Sequence, residues 1–121
     1  MKTTKKHFEL FKKECKKWIE FFGLKEWNVS YDWCTPVEDC VLAWSNHHFS
    51  AKSSYLILSK EWRNTVPVTN EQVKKSAFHE VCEMMLFPLR YMSECRFLSD
   101  TEIDPEIHRL IRTFENVIFK C

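Results

Sequence analysis

Between residues 8 and 33 the hydrophobic period of the chain changes once, and the change falls at its single glycine. Phe8, Phe11, Cys15, Trp18, Ile19 and Phe22 recur at helical spacing, so residues 4 to 22 read as an amphipathic helix. Gly23 follows at the position where helices commonly end in a left-handed residue. Beyond it Trp27, Val29, Tyr31 and Trp33 alternate with Asn28, Ser30 and Asp32, the period of a half-buried strand. A chain that makes both patterns within its first third must pack a helix on a sheet.

The rest of the chain extends that plan. Thr35-Pro36 ends the first strand, and CVLAWSN, about 40 to 46, gives a second with weaker alternation. Asn46, His47 and His48 read as a turn, with both histidines exposed. SSYLILS, 53 to 59, reads as a third strand and as the exposed sheet edge that an extended peptide would pair with. Three short strands in succession point to an antiparallel meander.

Arg63 to Val68 reads as a loop. Thr69 and Gln72 then form a capping-box pattern that opens a helix over about 70 to 86. Pro88 ends or bends it, 89 to 98 gives a further short helical piece, and Asp104 with Pro105 opens the last helix. The fold class expected is therefore α+β, in one domain over 1–121. It comprises an N-terminal helix, a three-stranded, mostly antiparallel sheet, and two or three C-terminal helices. Phe11, Trp18, Val29, Tyr31, Leu56, Leu58, Ala77, Val81, Leu110 and Phe114 are the expected core.

Charge excludes some functions. Eighteen basic and seventeen acidic residues give a net +1, so no strong nucleic-acid field is expected. The lysines among the first 17 residues read as the solvated face of the first helix, or as a docking patch for an acidic partner. No secretory signal and no continuous apolar run of membrane-spanning length stand out, so the expectation is no membrane and a cytoplasmic location. The six cysteines contain no CxxC and are expected as free thiols.

The chemistry concentrates in SAFHEVCEMMLFPL, residues 76 to 89, which carries His79-Glu80-x-x-Glu83. His79 and Glu83 are four residues apart, on one helical face, where both can point at a single ion. Glu80 lies about 100° further round, where the metallopeptidase signature places its general base. Val73, Ala77, Phe78, Val81, Cys82 and Met85 are expected to pack as the opposite, core face. Read alone the motif is weak, because a histidine one turn from a carboxylate is common on solvated helices. Glu83 paired with Arg90 is the alternative to Glu83 as a ligand.

The segments FHEVCEMML, SECRFLSDTEI and HRLIRTFENVI together resemble a family of small phage-encoded, zincin-like metallopeptidases. In that family an amphipathic helix and a small sheet precede a helix carrying His-Glu-x-x-His. The resemblance covers nearly the whole chain in order and is most specific at Arg96-Phe97, Glu102-Ile103 and Ile111-Arg112 to Glu115. It implies His79 as first metal ligand, Glu80 as catalytic base and Glu83 where the family has its second histidine. His108 falls near the third ligand, with Glu106 as its competitor. Two imidazoles and a carboxylate with an open fourth position suit catalytic zinc, whereas one imidazole and two carboxylates favour manganese or iron. The function implied is a zinc-dependent peptidase acting on a peptide or protein substrate, in host cytoplasm if the chain is phage-encoded. The alternative is a catalytically inactive zincin-like domain that binds or inhibits a host protein, or an interaction domain that never held a metal.

Overall fold

Thr4 starts the first helix. Its hydroxyl accepts from the His7 amide, and His7 Nδ1 accepts from the Thr4 amide at 2.9 Å, so two orphan donors are satisfied reciprocally. The structure, a computed structural model, describes residues 1–36, 42–63, 65–95 and 99–119. Helix α1 runs Lys5–Phe22 and ends on Gly23 at φ 70°, as its position after the apolar stripe predicts. The α1 lysines lie on its outer side, where Lys12 pairs with Glu9 and Lys17 with Glu14.

Strands β1 (Asn28–Cys34), β2 (Ala43–His48) and β3 (Ser53–Ser59) form one sheet in the order β1-β3-β2. The meander expectation is corrected here. β1 pairs with β3 in parallel, Asn28 opposite Ser53 through Cys34 opposite Ser59. β2 pairs with β3 antiparallel, so the sheet is mixed. The physical reason is β3 itself. Its continuous run Leu56-Ile57-Leu58 is buried on both sides, the pattern of an interior strand rather than an edge. β3 is therefore not the exposed edge expected of it, and the two edges belong to β1 and β2. His47 and His48, expected in a turn, close β2 instead, and His47 Nδ1 lies 2.7 Å from Ser54 Oγ. Residues 40 and 41, expected to open the second strand, lie outside the described residues.

α2 (Asn70–Glu94) packs on the sheet, and α1 packs on α2 and meets β1 through the stacked rings of Phe8 and Trp33. Thr69 caps α2 by accepting from the Gln72 amide at 3.1 Å, one half of the expected box. The helix does not stop near 86 but passes through Pro88 to Glu94, taking in the piece expected over 89 to 98. Helix α3 (Asp100–Ile118) begins at Ser99, not at Asp104, so Pro105 lies in its second turn. Its acidic first turn, Asp100 and Glu102, complements the helix dipole there.

Phe11, Leu56, Leu58, Ala77 and Val81 are buried, and Trp18, Val29, Tyr31 and Leu110 pack against them half-buried. Phe114, expected in the core, is exposed. The N-terminal strand-like segment is fastened by side chains: Thr3 donates to the Ser59 carbonyl at 2.7 Å and accepts from the Trp33 indole at 2.9 Å. No helix among the described residues is long and apolar enough to cross a membrane.

Candidate metal centre on the second helix

Helix α2 buries Val73, Ser76, Ala77, Glu80, Val81, Met84, Met85 and Pro88, alternating steps of three and one. That is the core-facing stripe of a helix, and Glu80 occupies one of its positions. Phe78 and Cys82, expected in the core, lie to its side: Phe78 is exposed and meets the Trp18 ring of α1 edge-on at 4.9 Å. The motif therefore straddles the boundary between core and solvent. His79 and Glu83 project outward, with side chains 70% and 46% exposed, while Glu80 points under them and is 3% exposed.

Ligand atoms of all three residues lie within 4.8 Å of one another. His79 Nε2 is 3.9 Å from Glu83 Oε1, too far for a hydrogen bond and close enough for both to touch one cation. Ser45 of β2 reaches across to Glu83 Oε2 at 3.5 Å. Glu83 and Arg90 line the same cleft, but they form no ion pair among the described residues.

Glu80 is the electrostatically unusual member. Its carboxyl is pushed up to about 7, chiefly because burial strips its water, and secondly by the negative charge and hydrogen bonding of Glu83. The Ser45 hydroxyl pulls in the opposite direction. Glu80 Oε1 is buried without a hydrogen-bond partner, a costly condition for a carboxylate oxygen. Beneath it lies Cys15 of α1, whose thiol is raised by its own burial and then by Glu80 and Glu14.

Two clefts meet at the trio. One, of about 430 Å³, runs between Ala43 of β2 and Lys75, His79 and Glu80 of α2. The other, of about 360 Å³, holds Ser45, His47, Glu83, Phe87 and Arg90. His47, whose position in the site was not expected, is held against the Phe87 ring at 4.9 Å, and burial lowers its proton affinity. β2, an edge strand among the described residues, contributes Ala43 to the first cleft and Ser45, Asn46 and His47 to the second.

His108 is not brought to this centre. It lies exposed on α3 with Nδ1 2.8 Å from the Asp104 carbonyl. Glu106 is committed elsewhere too: it is buried and takes both of its oxygens to the Arg109 guanidinium. Among the described residues the metal-capable cluster is His79, Glu80 and Glu83 alone. Arg96 and Phe97, which carried part of the resemblance, lie outside the described residues. Comparison of the chain with family models, curated proteins and solved structures finds no match.

Proposed function

We propose that α2 carries a divalent-metal site and that the protein is a metal-dependent hydrolase of extended peptides. The observation that carries this reading is the meeting of His79, Glu80 and Glu83 within 4.8 Å at the junction of two clefts. The residues fit a cation. Two outward donors converge one helical turn apart, and an orphaned, desolvated carboxyl oxygen waits beneath them. With His108 elsewhere, the ligands are one imidazole and one carboxylate, with the Glu80 carboxyl beside them as the base, a set that admits zinc, manganese or iron.

His79 and Glu83 would hold the ion, and Glu80 would accept the proton. A divalent cation at this place supplies Lewis acidity towards a carbonyl oxygen and towards water. Glu80 would be placed to take the proton that water loses, and its burial, which favours the protonated carboxyl, strengthens it as an acceptor. The free edge of β2 offers backbone donors and acceptors to an extended chain, which would place one peptide group beside the trio. Lys75 in one cleft and Arg90 in the other flank the path of such a chain.

The test is hydrolysis of an unfolded protein substrate in the presence of zinc or manganese. Cleavage by the wild type, abolished in Glu80→Gln with the metal still bound, is the expected result. Cleavage that persists in Glu80→Gln contradicts the assignment of the base.

A second reading, a catalytically silent zincin-like binding domain, is favoured by one observation. The residue expected as third ligand, His108, stays on α3. Metal bound without any hydrolysis would select it.

A further inference from the structure

Helix α3 carries two parallel seams of opposite character. The inner one is Ile103, Glu106, Leu110, Thr113 and Val117, and two of its five members are buried polar groups. The outer one is Ile107, Ile111, Phe114 and Ile118, all large and apolar, and exposed by 43%, 46%, 47% and 70%. Its spacing is four, three, four, the repeat of a coiled-coil seam. A helix that turns polar groups inward and an unbroken apolar repeat outward has a second surface to cover.

We propose that this outer seam is the interface of a homodimer, in which two α3 helices pair antiparallel about a two-fold axis. The proposal is independent of the metal site. The spacing makes the seam self-complementary: antiparallel pairing centred between Ile111 and Phe114 sets Ile107 on the partner's Ile118 and Ile111 on the partner's Phe114. The same register brings His108 of one copy near the partner's Glu115 on the flank of the seam. Parallel pairing instead stacks the acidic first turns, Asp100 and Glu102, on each other and aligns the helix dipoles unfavourably.

A membrane surface is the poorer occupant. Helices that lie on lipid carry lysine and arginine along their polar face, whereas α3 is net acidic: Asp100, Glu102, Asp104, Glu106 and Glu115 outnumber Arg109 and Arg112, and Arg109 is paired with Glu106. The size also suits a second copy. The four side chains leave roughly 400 Å² of apolar surface per helix, within the range where a monomer's largest patch is often functional. Doubled, and with its flanks, this reaches about 1,000 Å², the lower limit of a specific interface. The dimer is accordingly weak and dissociates on dilution.

Sedimentation velocity over a micromolar to submillimolar series tests this. The wild type should pass from monomer to dimer with concentration. Ile111→Lys and Phe114→Glu should each remain monomeric, with unchanged far-UV circular dichroism because both positions are exposed. An equimolar mixture of the two variants should dimerise again, since the new lysine of one copy faces the new glutamate of the other. A wild type that is monomeric throughout overturns the dimer, and that series stands however the variants fold. A dimer untouched by both substitutions overturns the choice of surface. A mixture that stays monomeric overturns the antiparallel register.

Discussion

The Arg109 guanidinium donates to the Met85 carbonyl at 2.8 Å, tying α3 to α2 just before Pro88. Pro88 has no amide hydrogen to give to the Met84 carbonyl, so the helical ladder is weakest here. The donor from α3 falls on the next carbonyl, that of Met85, and Glu106, buried beside Arg109, neutralises the guanidinium. Arg109→Met should cost about 1–3 kcal/mol, because it strands a buried carboxylate and removes a carbonyl's partner. Urea midpoints of Arg109→Met and of Arg109→Met/Glu106→Gln check this. The double variant should recover part of the loss, and equal midpoints for the two would contradict the pairing.

Glu80 makes stability depend on pH. Unfolded, its carboxyl titrates near the ordinary value of 4.5, and folded it keeps its proton to about 7. Between those values the folded protein binds more protons than the unfolded one, so stability falls as pH rises through the window and levels off above it. Metal-free Glu80→Gln should lose this fall and exceed the wild type by on the order of 2 kcal/mol at pH 8. Denaturant melts at pH 4.5 and 8 supply the comparison. Equal slopes with pH in both proteins would mean that Glu80 is hydrated in solution.

Cys15 is fully buried beneath Glu80, with its thiol raised by that burial, while Cys34, Cys82 and Cys95 are partly open. In native protein kept from air, Cys15 should be the last of these four to react with a thiol reagent, and should react only as the protein opens. Mass-resolved labelling reads the order. Unfolded protein should give six free thiols, although Cys40 and Cys121 lie outside the described residues.

Gly23 sits at φ 70° with open space around its missing Cβ. Gly23→Ala meets no neighbour, yet must hold a left-handed backbone, at a cost of about 1–2 kcal/mol. A melting temperature equal to wild type would show that the C-cap relaxes.

Elements defined by their own periodicity were legible in the sequence. The stripe from Phe8 to Phe22 and the run over 53 to 59 give α1 and β3 within a residue. Strand order was not, because alternation states which face a residue takes and not which neighbour it pairs with. The unbroken Leu56-Ile57-Leu58 did carry the signal for an interior strand. Pro88 and Pro105 misled as boundaries, since packing and the Arg109 bond sustain α2 past Pro88, while the acidic turn of Asp100 and Glu102 opens α3 before Pro105. The convergence of His79 and Glu83 follows from four-residue spacing. The burial of Glu80 was missed, because Phe78 and Cys82 were read into the core face in place of Ser76 and Glu80, although Val73, Ser76, Ala77, Glu80, Val81 and Met84 share one stripe. The position of His108 was not legible, because it stands at the border between two faces of α3.

The proposed function turns on Glu83 as a metal ligand. Metal content after exposure to zinc or manganese and extensive dialysis, measured on untagged protein by plasma mass spectrometry, tests it most directly. One equivalent is expected in the wild type, in Cys82→Ala and in Glu83→His, and none in His79→Ala or Glu83→Ala. A wild type without metal, or a Glu83→Ala variant that keeps its equivalent, contradicts it.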